Sequence, residues 1–214
     1  MFSYFAKHAD MLMEAFAEHL KIVFITLAIS IVLAAVLSYL LLRSERATNV
    51  VVQFFSAVYS IPSMALFAML IPLLGLGNST AVPVLVAYNQ YLLIRNIMSG
   101  MQQVDKRLLE AGTGMGMNHW QLVTKVQLPL AMPSIVAGIR LAIVSTTGIA
   151  VIAATINAGG LGKILLSGLR TMNVYKIVWG TILSVIIALI ADIGLRQLEK
   201  RILWRERRYG TSHD

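Results

Sequence analysis

Few side chains in this sequence are able to make or break bonds. The four histidines, His8, His19, His119 and His213, are nowhere paired at a metal-ligand spacing, and no H-E-x-x-H segment occurs. No serine stands in a G-x-S-x-G elbow. The chain has no cysteine, which excludes disulfides, a thiol nucleophile and Cys-based metal sites. Gly159-Gly160-Leu161-Gly162-Lys163 is glycine-rich, but Asn157 stands where the Walker pattern needs Gly and Ile164 where it needs Ser or Thr. That segment reads as a flexible turn or a re-entrant piece. Two carboxylates, Glu110 and Asp192, lie inside or close to apolar runs. Asp192 precedes Arg196 by four residues, which predicts an i,i+4 ion pair. A proton-coupling role for Asp192 needs a second titratable partner in the membrane, and none is found. Such an inventory fits a passage or a scaffold without its own energy source.

The composition says what surrounds these residues. Of 214 residues, 57% are hydrophobic and 13% charged, and the mean hydropathy is +0.75. A soluble domain carries about 25% charged residues, so the chain is an integral membrane protein. Its net charge of +8 is explained by Lys and Arg flanking membrane spans rather than by nucleic acid. The first apolar run is too long for a cleaved signal peptide.

The expected fold is all-α, a polytopic membrane protein with about five transmembrane helices. The spans run roughly over 22–42, 50–76, 81–99, 133–156 and 177–195, in a single domain covering 1–214. Residues 1–21 alternate apolar and charged groups in the manner of an interfacial amphipathic helix. In the second span Pro62 predicts a kink. The third span is the most polar. Asn89 and Gln90 near its middle either line a pathway or bond between helices, while Arg95 lies near its end. Tyr59, Ser60 and Tyr88 join Asn89 and Gln90 as pathway-lining candidates on polarity alone. With five spans, the loops on the side of residues 100–132 hold eleven Lys and Arg and the other side five. The positive-inside rule then puts the N-terminus outside and the C-terminus in the cytoplasm.

The loop 100–132 is a polar, helix-forming island. Gly112, Gly114 and Gly116 allow a sharp turn or a close approach of backbone. Asn118 and Gln121 read as an N-cap with its capping-box partner. Leu122, Val123 and Val126 share an apolar face, and Pro129 is expected to stop the helix. Whether the principal helix of this loop begins at Asp105 or at Asn118 stays open.

The segment Glu110 to Pro129 resembles the cytoplasmic loop of bacterial ATP-binding-cassette importer permeases, with its pattern E-A-A, three residues, Gly, nine residues, Ile, one residue, Leu-Pro. Glu110, Ala111, Gly116, Leu128 and Pro129 match at the right intervals. Gly112 replaces the second Ala, and Val126 replaces Ile. Ser60-Ile61-Pro62-Ser63-Met64-Ala65-Leu66, Ile71-Pro72-Leu73-Leu74-Gly75-Leu76-Gly77 and Gly159-Gly160-Leu161-Gly162 look like the osmoprotectant branch, which serves glycine betaine, choline, carnitine and related quaternary amines. The methionine importer permease shares the layout but is less similar over Ser60 to Gly77.

The resemblance implies a non-enzymatic subunit of the bacterial cytoplasmic membrane. It implies a coupling helix docked on an ATPase, with Glu110 at the contact, Gly116 permitting the turn and Pro129 ending the helix. The implied partners are two ATPase chains carrying the ATP and Mg, a second permease (identical or paralogous), an extracellular or periplasmic binding protein, and membrane lipids. No cofactor in this chain and no nucleic acid are expected. A methionine or other amino-acid permease is the nearest alternative. An ion-coupled carrier is disfavoured by the absence of paired intramembrane carboxylates and of an inverted repeat. A membrane scaffold has no need of the loop's spacing.

Overall fold

The computed structural model describes residues 2–210. Residues 1 and 211–214, and the side chains of Phe2, Leu198 and 201–210, lie outside the described residues. His213 and the side chains of Arg201, Arg205, Arg207 and Arg208 are among these. The described chain is helical, without strands: α1 (Phe2–Lys7), α2 (Ala9–Leu41), α3 (Glu45–Ser60), α4 (Ser63–Leu74), α5 (Asn78–Gln102), α6 (Lys106–Gly114), α7 (His119–Leu122), α8 (Leu128–Ile152), α9 (Gly160–Arg170) and α10 (Val174–Gly210). A π-turn at Val123–Gln127 joins α7 to α8, and a 3₁₀ turn at Ala153–Ile156 follows α8.

The 33 residues of α2 span about 50 Å at 1.5 Å per residue, well beyond a hydrocarbon core of about 30 Å. The expectation of a separate surface helix over residues 1–21 is corrected here. Only Phe2–Lys7 is distinct, and from Ala9 the charged segment forms the first turns of the spanning helix. The reason is tertiary. Leu12 and Ala15 are buried against Leu161 and Ile164 of α9 and Leu183 and Ile187 of α10, so this end of α2 has an apolar face to satisfy.

Residues 50–76 do not form one kinked helix. Their helices α3 and α4 meet at 98°, as a broken span or a re-entrant pair. Pro62 forces the residue before it out of the helical region, and Ile61 and Pro62 are both extended, with ψ of 132°. The Ile61 carbonyl left free by the break accepts a hydrogen bond from the Tyr88 hydroxyl of α5. On the far side of the break, Leu66 and Phe67 pack with Ala81, Val84, Ala153 and Ile156.

Among the described residues, three helical stretches are long and apolar enough to cross a membrane: Ala9–Leu41, His119–Ile156 and Val174–Gln197; the bent pair is a fourth if it counts as one span. Their outer faces expose Phe24, Val32, Leu40, Leu141, Val144 and Ile190, as expected where the surrounding medium is lipid. The helix that carries Asn89 and Gln90, α5, has 25 residues and would reach about 37 Å. It occupies the middle of the bundle, in contact with α2, α3, α4 and α8. Polar side chains are tolerated there because they face protein and not lipid. Close approach of α5 and α8 depends on small residues. A methyl group added at Gly138 would come within 2.6 Å of the Asn96 Cβ, and one at Gly100 within 2.8 Å of the Ser134 Cβ.

Candidate functional site

The loop that carries the sequence pattern is built from two short helices, so both possible starts are used. The Asp105 side chain caps α6, accepting from the Arg107 N–H at 2.9 Å. At its other end the Met117 N–H bonds to the Gly112 carbonyl and the Gly116 N–H to the Thr113 carbonyl. Those paired bonds make a Schellman stop, which needs a left-handed residue at its turn. Gly116 supplies it at φ +82°. A reciprocal capping box then starts α7: the Gln121 N–H donates to Asn118 Oδ1 and the Asn118 N–H to Gln121 Oε1, both at 2.9 Å.

Pro129 does not stop this helix, contrary to expectation. From His119 the chain stays helical to Ile156, in a rod of 38 residues. In an ordinary α-ladder a proline at 129 would leave the Lys125 carbonyl unbonded and clash with it. The π-turn at Val123–Gln127 widens the ladder immediately before the proline, and the Leu128 N–H bonds back to the Val123 carbonyl. The proline falls in the first turn after the widened register, where its ring is accommodated. The loop helix is therefore continuous with a membrane helix.

Of the residues that carry the pattern, Glu110, Ala111, Gly116, Leu128 and Pro129 are exposed, as are Met115 and His119. Gly112 is buried, and a methyl group added there would approach Leu122 Cδ2 at 2.6 Å. Its departure from the usual Ala lets α6 sit close on α7. Trp120 reaches the other way, edge-on against Tyr39 near the end of α2, with ring centres 5.5 Å apart.

The five polar candidates in the spans separate into two groups. Asn89 and Gln90 are 1% exposed and tie α5 to its neighbours. Asn89 Nδ2 donates to Ser30 Oγ of α2 and to Thr146 Oγ1 of α8, at 3.2 and 2.9 Å. Gln90 Nε2 donates to the Ser30 and Val86 carbonyls. In this conformation their side chains bond between helices and reach no open surface. Tyr88 is likewise buried, its ring edge-on to Tyr59 with centres 5.6 Å apart. Tyr59 and Ser60 lie beside the break between α3 and α4, Tyr59 partly exposed and Ser60 exposed. Tyr59 also lies against Tyr91, whose hydroxyl accepts from Arg95 Nη1. This aromatic group with its cation was not legible as a cluster, because α3 and α5 are separated by α4.

Two further contacts were missed. Arg140, on α8, places Nε 3.3 Å from Asp192 Oδ1 and Nη1 3.0 Å from Glu199 Oε2, both carboxylates on α10. The expected pair of Asp192 with Arg196 exists but is long, at 3.9 Å, and Arg196 is exposed. A lone arginine within an apolar run was the available signal, since such a charge seeks a partner. At the other end of the bundle, Glu18 Oε2 accepts from the Gly160 N–H at 2.7 Å, the first residue of α9. The turn before α9 places Asn157, Gly159 and Gly160 at positive φ. A methyl group on Gly159 would collide with the Glu18 carboxylate, and one on Gly160 would lie 3.0 Å from Nδ1 of the buried His19. The glycines thus let a carboxylate and an imidazole come up to the backbone. The segment is a docking turn between α2 and α9.

Comparison with known proteins agrees with this architecture. The chain is 36% identical over 200 residues to the carnitine transport permease protein OpuCB of Listeria monocytogenes, covering 94% of this chain and 92% of that one. It is 34% identical over 202 residues to the glycine betaine/carnitine/choline transport system permease protein OpuCB of Bacillus subtilis, covering 94% and 93%. It is 32% identical over 201 residues to the osmoprotectant import permease protein OsmW of Salmonella typhimurium, covering 92% and 94%. Among solved structures, an inward-facing MetNI methionine ABC transporter shares the fold, with a TM-score of 0.83 at 21% identity over 92% of this chain and 98% of that one. The model of the binding-protein-dependent transport system inner membrane components matches residues 21–204, and with full-length relatives at these identities the chain belongs to that family of membrane transport permeases.

Proposed function

We propose that this chain is the permease subunit of an ATP-driven importer of osmoprotectant quaternary amines such as glycine betaine, carnitine and choline. The observation that carries the reading is the exposed loop helix that continues without a break into α8. A push on α7 reaches Thr146 and its bond to Asn89 through one rigid rod. In this reading residues 1–214 act as one transmembrane domain with five crossings, counting the bent pair and α5, and the loop 100–132 lies in the cytoplasm. The N-terminus is outside and the C-terminus inside. Glu110, Ala111, Gly112, Gly116, Leu128 and Pro129 present the loop to a groove of a separate ATPase, which holds the ATP and Mg.

Two ATPases and a second permease complete the pathway, and an external binding protein delivers the cargo. Cargo passes by alternating access, so its site in the membrane is weak. The partly exposed ring of Tyr59, beside the exposed Ser60 and braced by Tyr88 and Tyr91, offers an aromatic face on which a quaternary ammonium can rest. Curated relatives named for such cargo support the reading. The methionine alternative rests on shared fold alone. The test is uptake of labelled glycine betaine, carnitine, choline and methionine in cells lacking other importers, with and without this chain. Uptake of methionine alone refutes the cargo assignment. ATP-independent uptake refutes the class.

A further inference from the structure

A cleft of about 540 Å³ opens between the end of α2, α5 and the loop segment. Its walls are almost wholly apolar, including Ala35, Leu93, Ile97, Val123 and Ile135. At its mouth stand Tyr39 and Trp120, edge to face. Because α2 and the rod beginning at His119 are membrane-crossing helices, the medium that reaches this cleft is lipid. A tyrosine and a tryptophan at a helix end mark the headgroup level.

Next to wall residues Leu42 and Thr124 in the sequence are Arg43 and Lys125, both exposed and neither paired with a carboxylate among the described residues.

We propose that this cleft binds one anionic phospholipid. An acyl chain fills the cleft, and Arg43 and Lys125 hold the phosphate. The lipid wedges the loop segment against α2, so Trp120 marks an occupied site.

The test uses the full chain in lipid nanodiscs with Trp179→Phe and Trp204→Phe, which leaves Trp120 as the sole tryptophan. Brominated phosphatidylglycerol or brominated phosphatidylcholine is supplied as a minor fraction of the bilayer, and quenching of Trp120 is read. Two basic residues at the surface favour the anionic lipid by about tenfold or more, so the glycerol lipid quenches at a far lower fraction. Arg43→Gln with Lys125→Gln, both on exposed side chains, erases that preference. Ala35→Phe, which fills the cleft, lowers quenching by either lipid. Equal quenching by both lipids overturns the proposal, as does no quenching by either, which would mean that protein covers the cleft. Undiminished quenching in Ala35→Phe overturns it too. The readout is independent of transport, so it stands or falls apart from the proposed cargo.

Discussion

Replacing Arg140 with alanine removes the cation that α8 extends to two carboxylates of α10. The Arg140 guanidinium lies 3.3 Å from Asp192 and 3.0 Å from Glu199, with the three side chains 22–30% exposed. Exposed ion pairs are worth about 0–1 kcal/mol. Breaking a fully buried pair costs about 3–5 kcal/mol, because an uncompensated charge stays behind. This cluster lies between those limits, and its loss leaves Glu199 without its cation and Asp192 with only the long contact to Arg196. Arg140→Ala should therefore destabilise the chain by about 2–3 kcal/mol. The appropriate assay is reversible unfolding in mixed micelles, with a double-mutant cycle on Arg140→Ala and Glu199→Ala. The cycle should return a coupling of about 1–2 kcal/mol. Arg196→Ala is the internal control. Its contact with Asp192 is 3.9 Å and solvent-facing, so it should lie within about 0.5 kcal/mol of the parent. A coupling near zero, or an Arg196 variant as damaged as the Arg140 variant, would refute the assignment of the tie to α8 and α10.

Gly116→Val should strain the Schellman turn by about 1–2 kcal/mol at a φ of +82°. If the loop couples to an ATPase, it should also abolish uptake while the chain still inserts; normal ATP-driven uptake by Gly116→Trp would remove the coupling role. Glu18→Gln weakens the charge-assisted bond to the Gly160 N–H and should cost about 1 kcal/mol, read as faster amide exchange at the start of α9; unchanged exchange would show that the carboxylate is idle. Single cysteines placed at Glu110 or His119, in a chain with none of its own, should resist an impermeant thiol reagent added outside cells. Labelling from outside would reverse the proposed orientation.

How legible the site was depended on the range of its contacts. Asn118 and Gln121 were readable as a capping box because both partners lie within one helical turn, and the structure forms both bonds. Gly116 was readable as a turn because left-handed backbone is a local requirement. Pro129 was misread because its effect was judged against a regular α-ladder, whereas the π-turn at Val123–Gln127 shifts the register just before it. Asn89 and Gln90 admitted two readings, since polarity in a span says that a partner is needed but not which. Ser30 and Thr146, on α2 and α8, supply the partners of Asn89 in the structure.

By itself the sequence determined that the chain is helical and membrane-spanning, and it located the loop motif. Those properties follow from hydropathy, from local capping and turn chemistry, and from spacing along one segment. The tertiary structure decided that residues 50–76 break into two helices at 98°, and that α5, with Asn89 and Gln90, is central. It also decided that Arg140 answers to α10 and that Glu18 holds the start of α9. Each of these is set by contacts between segments far apart in the chain, where burial and partner choice depend on which helices pack together.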